Sequence, residues 1–105
     1  MRVAAVISDL MLYSRIESAA RAAGACLIRV DSPRDLHCDL DLIVVDWSAR
    51  DPDWADALRA NGARVIVFGP HTDLEAHSAA RAAGLGPMWA RSRMLSNLPK
   101  LMRGR

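Results

Sequence analysis

No run of apolar residues in this chain approaches the length of a membrane span. The opening Met1-Arg2 passes directly into an apolar strand pattern with no room for a signal peptide, so the cytoplasm is the expected compartment. Cysteine is scarce. Cys26 in an apolar run and Cys38 in a turn pattern read as reduced thiols, not as a disulfide framework. Neither sign of charge dominates, and a net charge of +2 with a pI near 8.9 is too mild to imply nucleic acid. The local excess of Arg91, Arg93, Lys100, Arg103 and Arg105 reads as a solvated helix face. Catalytic templates are missing as well. Ser8-Asp9-Leu10-Met11 stands where a Gly-rich or Ser/Thr-rich phosphate loop would follow a first strand. Neither a Gly-x-Ser-x-Gly elbow nor a His-Glu-x-x-His helix occurs. Dinucleotide, P-loop, flavin, serine-hydrolase and zinc-protease chemistry therefore have no basis in the sequence.

What the chain does have is a dense alternation of strands and helices. With 105 residues, 51% hydrophobic and 25% charged, it reads as a single domain over residues 1–105 that buries a core without disulfides or metal. Val3–Ile7 reads as strand one, and Leu12, Ile16, Ala19, Ala20 and Ala23 form one stripe of a helix from about Leu10 to Ala23. Asp9 or Ser8 can cap its start, and Gly24 suits the left-handed position past its end. Ala25–Val30 reads as strand two, and Leu40–Val45 as strand three. Asp51-Pro52 opens a helix that ends at Asn61-Gly62, and Val65–Phe68 follows as strand four. Thr72-Asp73-Leu74-Glu75 fits a capping box before a helix to Ala83. Pro87–Ala90 reads as a short fifth strand. Met94, Leu95, Leu98, Leu101 and Met102 mark a last helix, with Pro99 expected in its first turn or dividing it.

Strand three carries apolar residues without alternation, so both faces of its sheet should be covered. Only Asp31 to Asp39 separate strands two and three, too few for a full crossover helix, and Ser32–Leu36 can supply about one helical turn. The expected fold is α/β: a five-stranded parallel doubly wound sheet, flavodoxin-like, in the order 2-1-3-4-5, with a truncated second helix. Ser18–Gly24 and Ser78–Gly84 share the sequence Ser-Ala-Ala-Arg-Ala-Ala-Gly, while their flanks do not match. Two alanine-rich helix ends stopped by glycine explain the identity better than a repeat.

Asp46 closes strand three, at the sheet edge where open parallel sheets place their ligand sites. The order of elements with this aspartate resembles the receiver domain of bacterial response regulators. Val65–Asp73 resembles the receiver's fourth strand and loop, and Ala82 to Ser92 resembles the stretch leading to its Lys-Pro. The resemblance implies that Asp46 matches the phosphoacceptor and Arg91 the lysine after strand five. The acidic pair that holds a divalent cation in receivers falls on Ser8-Asp9 or, one residue earlier, on Ile7-Ser8. Gly69 falls where receivers carry a switch Ser or Thr, Ser92 where they carry the proline, and Met88 where they carry the aromatic switch residue, with Trp89 beside it.

These departures have chemical consequences. Asp9 and Asp46 offer at most a weak magnesium site, and no other cofactor is expected. Arg91 keeps a positive charge without the compact ammonium of lysine, and Gly69 has no side chain with which to bind a phosphoryl oxygen. The chain is therefore expected to be a stand-alone, degenerate receiver-like signalling module. It would not be an enzyme and would act by protein–protein interaction. The alternative is a phosphoacceptor receiver using Asp46 with a divalent cation. Trp89, Arg93 and Met94 are the candidate interaction residues, for a protein partner or a second copy, with no role for a membrane and with nucleic-acid binding by the basic C-terminal segment a distant third reading. His37-Cys38-Asp39-x-Asp41 contains metal-ligand residue types but reads as a turn, and His71 as a solvated loop residue.

Overall fold

The computed structural model describes residues 1–37 and 39–103, so Cys38 and Arg105 lie outside the described residues. Four strands, β1 (Arg2–Val6), β2 (Cys26–Val30), β3 (Leu42–Asp46) and β4 (Arg64–Phe68), form one parallel sheet in the order β2-β1-β3-β4. Among the described residues four helices accompany them: α1 (Leu10–Ala23), α2 (Trp54–Asn61), α3 (Leu74–Ala82) and α4 (Arg91–Met102). None of them is long and apolar enough to cross a membrane.

The unbroken apolar run of β3 is explained by two separate cores. Side chains alternate across the sheet, so Leu42 and Val44 join Val3, Ala5 and Ile7 beneath α1 and α4. Ile43 and Val45 join Ala4 and Val6 beneath α2 and α3. On the first face Leu12, Ile16 and Ala20 of α1 meet Met94, Leu98 and Met102 of α4. Each large aliphatic side chain buried there contributes roughly 1.5–3 kcal/mol before the entropy of ordering is counted.

The short crossover between β2 and β3 is a single turn of 3-10 helix, Pro33–Asp35, opened by the Ser32 hydroxyl accepting from the Arg34 N–H. Trp54 of α2, with Leu36 and Leu40 packed against the same cluster, covers the face that a longer helix would shield. Arg34 and Asp53 pair across this junction at 3.1 Å. The repeated heptapeptide ends α1 on one face and α3 on the other. In both copies the second alanine is buried, and the glycine adopts a left-handed φ of 69° at Gly24 or 75° at Gly84. The next residue's N–H then returns to that buried alanine's carbonyl, Ala25 to Ala20 and Leu85 to Ala80. The identity is one of helix ends.

Four expectations are corrected. The fifth strand is reduced to one bridge, Phe68 with Trp89. The Trp89 N–H donates to Val67 O and the Trp89 carbonyl accepts from the Gly69 N–H, but two residues earlier Pro87 has no N–H to give Val65, and pairing stops. The sheet is therefore four-stranded. The helix after β3 starts at Trp54, because residues 52 and 53 form a turn and Asp53 makes no side-chain cap bond. Asp73, not Thr72, caps α3 by accepting from the Ala76 N–H. Finally, α4 begins at Arg91 and runs through Pro99 unbroken, held by the buried stripe of Met94, Leu98 and Met102.

Candidate active cleft

The C-terminal ends of β1, β3 and β4 open on a cleft of about 730 Å³. Asp9 enters it from the start of α1, Asp46 from the end of β3, Gly69 and His71 from the loop after β4, and Arg91 from the start of α4. Its apolar floor consists of Leu12, Phe68 and Leu95.

Each carboxylate is held by local chain geometry. Asp9 Oδ1 accepts from the N–H groups of Met11 (3.0 Å) and Leu12 (3.1 Å), capping α1. Its Oδ2 receives the Arg91 guanidinium at 3.4 Å. The Leu12 N–H, followed by the Met11 N–H and Arg91, outweighs desolvation and holds the Asp9 carboxyl below its ordinary value of 3.8. Asp46 makes a similar turn. Its Oδ1 accepts from the Ser48 N–H at 3.1 Å and the Ser48 hydroxyl at 2.5 Å, capping the 3-10 turn Trp47–Ala49. Trp47 points away from the cleft into the second core, donating its indole N–H to Ala76 O at 3.1 Å.

The structure thus brings Asp9, Asp46 and Arg91 together as the sequence suggested, but it links Asp9 to Arg91 directly. A divalent cation, which receiver domains hold here, prefers six oxygens in an octahedron. Of the carboxylate oxygens lining the cleft, Asp46 Oδ2 is the one without a partner in the hydrogen bonds just described. Among the described residues no group of three or more His, Cys, Asp and Glu side chains could hold a metal. The donor set fits magnesium poorly.

Gly69 lacks a hydroxyl, and a β-carbon built there would stand 3.0 Å from Met88 Sδ. The thioether of the residue in the aromatic switch position therefore fills the space a switch side chain would enter. Ser92 lines the cleft where receivers have proline.

The candidate interaction residues separate. Trp89 is half-buried against the first core, and the Arg93 guanidinium lies over its ring at 4.3 Å. Met94 is fully buried between α4 and α1, so its proposed place on an interaction surface is corrected: it is a core residue. Leu95 and Leu101 are half-buried and Met102 is buried, which leaves little of the last helix's apolar stripe uncovered. Asp39 and Asp41 lie before β3, at the opposite edge of the sheet from the cleft, where Asp41 Oδ2 accepts from the Arg2 N–H at 2.7 Å.

Two cleft residues escaped the sequence reading. Ser48 holds Asp46, a role signalled by its position two residues after an aspartate. Arg15 lines the cleft from α1, and its spacing of three from Leu12 and six from Asp9 places all three on one side of the helix.

No family model matches this chain, and no curated protein matches it. The receiver domain of the Francisella response regulator 1452 is similar in structure, with a TM-score of 0.70 over 98% of this chain and 97% of that one. The two are 14% identical, so the likeness is one of fold. The chain has the fold of a response-regulator receiver domain.

Proposed function

We propose that this chain is a degenerate receiver-like signalling module that acts by protein contact, without efficient phosphorylation of Asp46 and without enzymatic turnover of a substrate. The observation that carries the proposal is the Arg91–Asp9 ion pair across the cleft. Both side chains are about half exposed, so the pair adds little stability. Its importance is chemical. Phosphoryl transfer to a carboxylate depends on a cation and a positioned charge at the transferring group. Here the basic residue is drawn onto the carboxylate that would help hold the cation, and the switch hydroxyl is missing at Gly69.

The face formed by α3, the Trp89 segment and α4 is the surface on which this reading places a protein partner or a second copy. It presents Trp89 under Arg93, an aromatic and an arginine of the kinds enriched at interaction hot spots. A second reading, phosphoacceptance at Asp46, draws on the place of that carboxylate at the end of β3 with one oxygen outside the Ser48 bonds. Incubation with acetyl phosphate and magnesium, followed by intact mass spectrometry, separates the two. The expected result is unmodified protein. A stoichiometric added phosphate that Asp46→Asn abolishes would establish the second reading instead.

A further inference from the structure

The cleft extends well beyond its two carboxylates. From Asp9 and Asp46 it runs along the seam of α1 and α4 to Arg15, over Leu12, Phe68 and Leu95. Its volume of about 730 Å³ lies within the range of small-molecule pockets. Arg15 lies six positions beyond Asp9, the cap of α1, a span of roughly 9 Å along the helix at the helical rise per residue.

Two charges of opposite sign in this cleft, Asp46 and Arg15, lack an ionic partner among the described residues. Asp9 and Arg91 satisfy one another. Among the described residues Arg15 has no carboxylate, and Asp46 no cation, within ion-pair distance. Asp46 is half-buried and offers its second oxygen as an acceptor. A guanidinium has five N–H donors, so Arg91 can remain on Asp9 and still donate to a ligand. The complement of this cleft is a dipolar molecule with an anionic group at one end, an apolar body, and an ammonium or hydroxyl donor at the other.

We propose that the cleft between α1 and α4 binds a small dipolar organic acid, its acidic group on Arg15 and its donor group on Asp46. Asp9 acts as a positioning residue by fixing the Arg91 guanidinium beside the ligand. The inference rests on the proposed function only in requiring that Asp46 be unphosphorylated.

The test is a titration of the whole chain in a chelator, followed by amide chemical shifts. The probes are ε-aminocaproate and phosphoethanolamine, with hexanoate and hexylamine as controls that each lack one end. Saturable shifts at Leu12, Arg15, Ser48 and Ser92 are expected for at least one dipolar probe, with affinity in the millimolar range or tighter. Arg15→Gln, an exposed substitution, and Asp46→Asn should each weaken that binding at least tenfold, as should the loss of either end of the probe. Three results would each overturn the proposal: no saturation by either dipolar probe, shifts confined to residues outside the cleft, or unchanged affinity in Arg15→Gln. The chelator removes divalent cations, so phosphorylation in the separate acetyl phosphate assay would defeat the proposed function while leaving this result standing.

Discussion

Restoring the missing switch hydroxyl should cost stability, and the cost should be traceable to one side chain. Gly69 is buried after β4, and a β-carbon there stands 3.0 Å from Met88 Sδ and 3.5 Å from its terminal methyl. Met88 is itself only 4% exposed and packs in the core beneath α2 and α3, so it has little room to retreat. Threonine adds two further heavy atoms beyond that β-carbon. Overpacking of this kind costs about 1–3 kcal/mol. Loss of glycine's freedom in the unfolded chain returns about 0.4–1 kcal/mol. Gly69→Thr should therefore lower stability by roughly 1–2 kcal/mol, and the melting temperature by about 4–8 °C for each kcal/mol in a domain of this size. The shorter side chain of Met88→Val removes the sulfur and methyl that obstruct the site. In that background Gly69→Thr should cost almost nothing, a coupling of about 1–2 kcal/mol between neighbours. Urea denaturation of the four proteins in this cycle measures the coupling. An equal cost of Gly69→Thr in both backgrounds would show instead that the backbone, not Met88, excludes a side chain.

Pro99 interrupts the hydrogen-bond ladder of a helix that nonetheless continues through it, so Pro99→Ala should stabilise the protein by about 1–3 kcal/mol, seen as a higher urea midpoint. The Asp9 carboxyl is held below its ordinary value of 3.8 in the folded state, first by the Leu12 N–H. Its contribution is thus fully present above that value and is lost as pH falls through the lower folded value. Asp9→Asn should flatten the acid limb of a stability–pH curve in that window and leave the neutral region with a similar slope. An unchanged acid limb would count against the cap and the Arg91 pair together.

The layers of the fold were legible in the sequence because β3 is apolar without alternation and the helices carry clean stripes. A strand buried on both faces and helices buried on one leave different patterns. The truncated crossover was legible from chain length alone. The fifth strand was not, since its failure depends on where Pro87 falls in the register with β4, which no local pattern records. The path of α4 through Pro99 was hidden for a related reason: tertiary burial of Met94, Leu98 and Met102 overrides local propensity. At the site, Asp46 was identified by its place at the end of β3, and Asp9 and Arg91 by the resemblance to receiver domains. Their pairing was not, because the Arg91–Asp9 contact spans 82 residues and depends on how α4 meets α1. Burial of Met94 was likewise set by that helix contact, which the stripe on α4 alone could not apportion between core and surface.

The proposed function requires that the cleft's carboxylates be held by the protein's own groups in place of a cation. A magnesium titration followed by the amide shifts of Asp9, Asp46 and Arg91 tests it most directly. It is carried out on the wild type and on the double variant Ser8→Asp, Arg91→Lys, which restores a second acid and exchanges the guanidinium for an ammonium. The wild type should show no saturation below millimolar magnesium, and the variant should bind saturably and more tightly. Saturation of the wild type at micromolar magnesium, abolished by Asp46→Asn, would contradict it.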